Sequence, residues 1–141
     1  MPPDTLHLRE TALWSWSLYP NQCYLGRMQL TLRRPLEQSL AHLTDQEWQE
    51  LHRTLSSYEG LLQDHFQPDR FNYKQLGNQW HQLHVHVVPR YADSRVWRGT
   101  QFLDQRFGDD PHPEFESPLD DEGTHALATW LKPLVSALDV T

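Results

Sequence analysis

The fold is decided by a run of nine residues, Gln82-Leu83-His84-Val85-His86-Val87-Val88-Pro89-Arg90. Polar and apolar side chains alternate over its first six positions, which is the period of a β-strand with one buried face. We therefore expect Gln82, His84 and His86 to project from the same face of this strand. Pro89 lacks the backbone N–H that a sheet ladder uses, so we expect the strand to end there or to lie at a sheet edge.

The two histidines on this strand face have three interpretations. They can be surface residues without a task. They can ligate a metal ion through their ring nitrogens, with His81 or His112 as a third ligand. They can also share covalent catalysis at phosphorus, because a neutral imidazole is a nucleophile near neutral pH and its neighbour can bind phosphate oxygens. The residue types alone leave all three open.

Alternating segments elsewhere predict the rest of an antiparallel sheet. Residues 11–19 and 27–33 alternate between polar and bulky apolar side chains, and a turn at 20–22 lies between them. Residues 71–76 form a further strand, which a turn at Gly77-Asn78 joins to the histidine strand. The segment 27–33 is predicted to have two faces, with Met28, Leu30 and Leu32 inward and Arg27, Gln29 and Thr31 outward.

Two helices complete the prediction. The first begins with a capping box at Thr44 and Glu47. Its apolar stripe recurs every three or four residues and comprises Trp48, Leu51, Leu55, Tyr58, Leu62 and Phe66. The second covers roughly residues 121–138, where Pro133 is expected to kink or shorten it. The pattern predicts an α+β fold, with an antiparallel sheet, one long helix packed on it and a C-terminal helix.

A chain of 141 residues is long enough to bury one core, so we expect a single domain over residues 1–141. Its core is predicted at about residues 11–108, with a C-terminal tail and helix at 109–141. Residues 1–10 are predicted to form a loose arm. The chain between Arg90 and the last helix is predicted to be irregular.

Composition narrows the class of partner and the compartment. Twelve basic residues against nineteen acidic ones give a net charge of −7, so a nucleic acid polymer is not expected as a partner, whereas a small nucleotide needs only a local electropositive pocket. The single cysteine precludes an intrachain disulfide and suits a reducing compartment. Neither a signal peptide nor an apolar stretch long enough to span a membrane is recognisable, so we expect a cytoplasmic protein without a membrane partner.

The histidine run and its flanks resemble the histidine-triad nucleotide-binding family, whose signature is His-φ-His-φ-His-φ-φ, where φ is apolar, often followed by Pro-Arg. Here Leu76-Gly77-Asn78-Gln79 resembles the turn before the triad. The segments Asn-Gln-Cys-Tyr-Leu-Gly-Arg at 21–27 and Gly-x-x-Phe-x-Asp-x-x-Phe-Gly at 99–108 resemble parts of a diadenosine-polyphosphate-hydrolase-like branch. The resemblance covers about residues 13–108.

The resemblance implies a homodimer whose two sheets join into one, with a purine nucleotide bound beside the triad. It assigns to His84 the attack on the α-phosphate, which forms a nucleotidyl-histidine intermediate that water then resolves. It assigns to His86 the orientation of the phosphate and the dispersal of its charge. This chemistry requires no metal and no cofactor.

The resemblance also implies a set of contacts to the substrate. Asn21 and Asn72 match positions near the nucleoside, and Asn78 and Gln79 lie in the turn where the family contacts phosphate or the leaving group. Gln82 stands where the family has its first histidine, and glutamine cannot carry a proton. Returning a histidine to position 82 is therefore expected to raise turnover most for substrates with basic leaving groups.

These observations lead to one main hypothesis and two alternatives. The main hypothesis is a nucleotidyl hydrolase or transferase acting on a nucleoside phosphate, phosphoramidate or dinucleoside polyphosphate through His84. The first alternative is a nucleotide-binding module with little or no catalysis, which Gln82 motivates. The second is a metal-dependent hydrolase.

Overall fold

The computed structural model describes residues 6–141, which form seven β-strands and two α-helices. The strands are β1 (His7–Glu10), β2 (Trp14–Leu18), β3 (Met28–Leu32), β4 (Arg70–Lys74), β5 (His84–Arg90), β6 (Arg95–Trp97) and β7 (Thr100–Phe102). The helices are α1 (Asp45–His65) and α2 (Asp121–Ser136). The predicted α+β class is confirmed.

The main sheet has the strand order β1-β2-β3-β5-β4, and every neighbouring pair is antiparallel. The histidine strand β5 therefore lies between β3 and β4. In this register His86 is opposite Gln29 of β3 on one side and Lys74 of β4 on the other. His84 is opposite Thr31. The residues that flank the two histidines across the sheet thus come from distant parts of the sequence.

The strand β5 differs from its predicted bounds at both ends. It begins at His84, so the prediction that Gln82 lies in the strand was wrong. It also continues through Pro89 to Arg90. The pairing with β3 stops at Val87, so Pro89 pairs only with Phe71 of β4. The prediction that the strand ends at Pro89 or lies at a sheet edge was therefore wrong, since β5 is an inner strand. The ladder tolerates the missing N–H because Pro89 has only one strand neighbour.

One face of the sheet carries the hydrophobic core. The side chains of Met28, Leu30 and Leu32 on β3 are buried as predicted, and those of Trp14, Trp16 and Leu18 on β2 are buried with them. Helix α1 packs on this face, where the ring of Tyr58 meets Trp16 edge to face. Arg27 and Gln29 were predicted to point outward, and both are also buried. Side chains on the second face of the sheet are therefore also shielded from solvent. The candidate site lies on this second face.

The capping box of α1 is confirmed. The hydroxyl of Thr44 accepts from the backbone N–H of Glu47, and the Glu47 carboxylate accepts from the backbone N–H of Thr44. The predicted apolar stripe was wrong at Trp48, which is 42% exposed. The buried face of the helix runs instead through Glu47, Leu51, Thr54, Tyr58, Leu61 and Leu62. Arg34 pairs with the buried Glu47 carboxylate, which lets this acidic residue lie on the core side.

Two short segments were not anticipated as strands. The prediction of a loose arm at 1–10 was wrong for His7–Glu10, which pair with β2 as β1; residues 1–5 lie outside the described part of the chain. The hairpin of β6 and β7 lies in the stretch predicted to be irregular.

Helix α2 passes through Pro133 and ends at Ser136. The guanidinium of Arg9 donates to two carbonyls at the end of α2, which ties this helix to β1. The division into one domain with a core at 11–108 stays a prediction.

Candidate active site

A cleft of about 710 Å³ opens on the face of the sheet opposite the hydrophobic core. Fifteen residues from four parts of the chain line it: Tyr19, Pro20, Asn21, Arg27, Gln29, Lys74, Leu76, Gly77, Asn78, Gln79, Trp80, His84, His86, His112 and Glu114. Both histidines of the β5 run are among them. Their rings touch edge to face, with centroids 5.1 Å apart.

His84 is held in a defined orientation at the floor of this cleft. Its Nδ1 lies 2.7 Å from the backbone carbonyl oxygen of Gln82. A carbonyl oxygen can only accept, so Nδ1 carries the proton and donates it. In the neutral ring the remaining nitrogen, Nε2, then has a free lone pair. The indole of Trp80 lies across the same ring, with centroids 4.8 Å apart and the planes inclined by 31°.

His86 is surrounded by groups that oppose its protonation. Nη2 of Arg27 lies 3.3 Å from its Nδ1, and the ring of Tyr19 packs against it edge to face. Burial, followed in importance by the charges of Arg27, His84 and Lys74, lowers the pKa of His86 to about 3. His86 is therefore a neutral imidazole at physiological pH.

Two cations give the cleft its electrostatic character. Arg27 is buried, stacks on the ring of Tyr19 at 3.9 Å and forms an ion pair of 2.8 Å with Glu114. The pKa of Lys74 is lowered by burial and by Arg27. Arg27 and Lys74 were not identified as site residues from the sequence, because both reach His86 through contacts between segments far apart in the chain.

The C-terminal tail forms one wall of the cleft; of its residues only His112 was anticipated near the histidines, as a possible third metal ligand. His112 and Glu114 line the cleft. Besides the Arg27–Glu114 ion pair, three hydrogen bonds fix the tail to the loop between β2 and β3: Tyr24 Oη donates to the carbonyl of Pro111, Asn21 Nδ2 to that of Phe115, and the backbone N–H of Gln22 to Ser117 Oγ. These contacts join residues about ninety positions apart, and no local sequence pattern marks them.

Three of the residues predicted to contact the substrate line the cleft. Asn78 and Gln79 lie in the loop between β4 and β5, and both are exposed. Asn21 also lines the cleft, but both ends of its amide are occupied, since Oδ1 accepts from the backbone N–H of Cys23 while Nδ2 donates to the tail. The Asn21 side chain therefore holds the loop in shape.

Gln82 was predicted to present its side chain beside the histidines, and the structure corrects this. Its Nε2 donates to the carbonyls of Leu32 and Arg34, both at 2.8 Å, and its Oε1 accepts from the backbone N–H of Leu36 at 3.1 Å. The amide is thus committed to the segment that follows β3, and Gln82 does not line the cleft. The sequence alternates from Gln82 onward, but the strand begins only at His84, so Gln82 does not share the face of the two histidines.

Asn72, which was predicted to lie near a nucleoside, is not among the residues that line the cleft. It pairs with Val88, beyond the histidines, and its Oδ1 accepts from Nη1 of Arg90 at 2.8 Å. Arg90 is buried, forms an ion pair of 2.7 Å with Asp104, and donates to the carbonyls of Arg106 and Asp109. Asn72 therefore belongs to a network that fixes residues 104–109 to β5.

Comparison with known proteins finds similarity in structure alone. No protein family model matches the chain, and no curated protein matches it in sequence. Among solved structures, a histidine triad protein from Marinobacter aquaeolei VT8 superposes with a TM-score of 0.69 at 22% identity, covering 92% of this chain and 88% of that one. A histidine triad protein from Bradyrhizobium japonicum gives a TM-score of 0.63 at 23% identity, covering 94% and 86%. The chain has the histidine triad fold.

A third neighbour with the histidine triad fold carries a named activity. The diadenosine triphosphate hydrolase of Plasmodium falciparum gives a TM-score of 0.65 at 12% identity, covering 96% of this chain and 79% of that one. In this chain's version of the histidine triad fold, residues 6–141 contain no group of three or more His, Cys, Asp or Glu side chains placed to hold a metal ion. The helices of the same range include none long and apolar enough to cross a membrane.

Proposed function

We propose that this protein is a nucleotidyl hydrolase or transferase in which His84 is the nucleophile. The observation that carries the proposal is the hydrogen bond from Nδ1 of His84 to the carbonyl of Gln82, because it leaves Nε2 with a lone pair inside a cleft. The substrate class is a nucleoside phosphate, phosphoramidate or dinucleoside polyphosphate, with a purine as the expected base.

In the first step, Nε2 of His84 attacks the α-phosphorus. A nitrogen–phosphorus bond forms, and the bond from phosphorus to the leaving oxygen or nitrogen breaks with its electron pair going to the leaving group. A phosphate-type leaving group departs as an anion, whereas an amine takes up a proton from solvent. The imidazole becomes cationic, and the hydrogen bond from Nδ1 to the Gln82 carbonyl stabilises that charge.

In the second step, water attacks the same phosphorus and the nitrogen–phosphorus bond breaks. Its electron pair returns to Nε2, and the proton lost by water passes to solvent. An alcohol, amine or phosphate that takes the place of water makes the same chemistry a transfer. The neutral ring that emerges is the starting state of the next cycle.

The cleft supports a nucleotide-sized ligand in volume and charge. Its volume of about 710 Å³ lies within the range of roughly 300–1,000 Å³ that small-molecule sites occupy. Arg27 and Lys74 supply positive charge beside the histidines. We propose Asn78 and Gln79 as the amide contacts to phosphate or leaving group, because both are exposed at the cleft.

The test is direct capture of the intermediate. The protein is mixed with an adenylated substrate panel, quenched within milliseconds and analysed by mass spectrometry, and an adenylyl group on His84 is expected. His84→Ala should show no turnover, whereas His81→Ala, which alters an exposed neighbour outside the cleft, should turn over as the unaltered protein does. Equal turnover in His84→Ala would contradict the proposal.

The alternative function, a nucleotide-binding module with little catalysis, is favoured by one observation. The side chain at position 82 is neither protonatable nor directed into the cleft. This alternative predicts that calorimetry detects nucleotide binding while product analysis over the same period detects no product. Steady product formation with His84 intact would eliminate it.

We also propose a homodimer joined through β4, the outer strand on that side of the described sheet. The opposite outer strand, β1, is bound by α2 through Arg9, whereas Tyr73 of β4 is 40% exposed. An outer strand offers backbone groups to a second sheet. Sedimentation equilibrium should give twice the mass of the chain.

The location of the protein in the cytoplasm stays a prediction.

A further inference from the structure

Arg27 is a buried cation placed directly behind His86. Its side chain is only 2% exposed. It has one carboxylate partner, Glu114, and its Nε has no hydrogen-bond partner within the described residues. A buried guanidinium is costly unless it is paired and fully hydrogen-bonded. A contribution to the stability of the fold is therefore a poor explanation for a buried arginine at this position.

The contact between Arg27 and His86 determines where the histidine carries its proton. A guanidinium has only donors, so Nη2 of Arg27 donates to Nδ1 of His86 across 3.3 Å. A neutral imidazole that accepts at Nδ1 must carry its hydrogen on Nε2. His84 has the opposite arrangement, because it donates from Nδ1 to a carbonyl. The two adjacent rings thus present one lone pair and one N–H donor.

The charged groups around His86 keep it in this neutral form. Arg27 and the uncharged Gln29 face it from the side of β3, Lys74 from β4, His84 from its own strand, and Tyr19 from the loop after β2. Glu114 stands behind Arg27 and is the one carboxylate of this group. Burial and three positive or protonatable neighbours all act against a second proton on the ring.

We infer that Arg27 is a positioning residue that acts through His86: it fixes the ring as an Nε2–H donor to the phosphate and supplies the positive charge behind that donor. This inference rests on the proposed function for its substrate. An ordinary histidine gains or loses its charge between pH 5 and 8. Here the charge is carried by a guanidinium, which stays protonated throughout that range, so the phosphate meets the same donor at every physiological pH.

The test reads the tautomer of His86 in the free protein. Long-range proton–nitrogen NMR on the histidine-labelled full chain distinguishes the two ring tautomers and follows each ring from pH 8 to pH 4.5. His86 is expected to be protonated on Nε2, with nitrogen shifts that do not change over this range. Arg27→Met, which keeps most of the side-chain length without donor or charge, is expected to mix the two tautomers and to move the ionisation of His86 to higher pH.

Activity gives the second measurement. Arg27→Met is expected to lower kcat for an adenylated substrate by roughly 10–100-fold, the effect of one hydrogen bond that involves a charged group. Its pH–rate profile should gain an acidic ionisation that the unaltered protein lacks. Arg27→Lys, which keeps a charge and donors, should recover part of kcat and the Nε2–H tautomer. Glu114→Gln, which keeps an acceptor for Nη1, should leave the tautomer unchanged.

Several results would overturn the inference. They are a proton on Nδ1 of His86 in the unaltered protein, titration of His86 near pH 6.5, or an Arg27→Met variant whose tautomer and titration match those of the unaltered chain. The first two need no variant, so they decide the matter even if Arg27→Met does not fold. Absence of turnover together with the expected tautomer would count against the proposed function and leave the positioning role standing.

Discussion

The backbone and the side chain of Gln82 have separate roles. Its carbonyl oxygen orients the nucleophilic candidate His84, and any residue type at this position supplies a carbonyl. Its amide instead bonds the backbone at Leu32, Arg34 and Leu36. The residue that departs from the triad signature therefore leaves the orientation of His84 intact.

This separation predicts the outcome of Gln82→Ala. Three hydrogen bonds to backbone groups are lost, so the free energy of unfolding should fall by about 1–3 kcal/mol. Values of kcat and KM should stay within about twofold, because the carbonyl that orients His84 remains. Urea unfolding and steady-state kinetics measure the two effects. A large loss of kcat with unchanged stability would show that the side chain acts in the cleft.

The same geometry revises the expectation for Gln82→His. The sequence alone suggested that a histidine here would act as an acid for basic leaving groups. Because the side chain at 82 points to the segment after β3, a histidine there has no route to the leaving group. A leaving-group series should show no preferential gain for amines, and a gain confined to amines would contradict this revised expectation.

At the scale of elements, the loop between β2 and β3 is what places Tyr19 and Arg27 against His86. The buried amide of Gln22 holds this loop closed. Its Nε2 donates to the carbonyls of Tyr19 and Arg27, and its Oε1 accepts from the backbone N–H of Gly26. The two ends of the loop are thus fixed to each other by one side chain.

Gln22→Leu is therefore a matched companion to Gln82→Ala. Each change removes three hydrogen bonds to backbone, and each should lower the free energy of unfolding by about 1–3 kcal/mol. Only Gln22→Leu should also lower kcat, since Tyr19 and Arg27 lose their fixed positions beside His86. Equal kcat values in the two variants would mean that the loop does not control the site.

The elements that the sequence predicted well are those with local signals. The capping box of α1 and the alternation in β2 and β3 each depend on residues within a few positions. β1 has four residues and β6 and β7 have three each, which is too short for a periodicity to be recognised.

The candidate site was predicted in part for the same reason. The paired histidines follow from strand alternation, whereas the partners of His86 depend on pairing between distant strands and on the tail. Arg27 was predicted to point outward because the alternation of polar and apolar residues separates the two faces of a strand. The alternation does not show which other parts of the chain cover each face. Its stacking with Tyr19 and its ion pair with Glu114 are tertiary contacts.

At the scale of the whole molecule, the partly buried His86 links folding to pH. Burial first, then Arg27, lowers the pKa of His86 from 6.5 to about 3. Between these two values the unfolded chain binds a proton that the folded chain does not, so stability falls as the pH drops from 6.5 toward 3. The pKa of Glu47 is lowered mainly by its hydrogen bond from Arg34, and its contribution is lost only as the pH falls below 4.5.

We therefore expect the urea midpoint to decrease between pH 6.5 and 4.5 in the unaltered protein. His86→Gln removes the ionisable ring and should flatten the dependence in this window, while leaving the steeper loss below pH 4.5. The comparison is made at matched ionic strength because exposed charges are screened by salt. Parallel curves for the two proteins would show that His86 does not carry the effect.

The indole of Trp80, inclined across the ring of His84, has a photophysical consequence. A cationic imidazole quenches the emission of an indole in contact with it, while a neutral imidazole does so weakly. In the proposed mechanism, attachment of a nucleotidyl group turns the His84 ring cationic, and hydrolysis returns it to neutrality. The emission of this one tryptophan should dim and recover once in each catalytic cycle, so a stopped-flow fluorimeter can time the covalent intermediate without any dye attached to the protein.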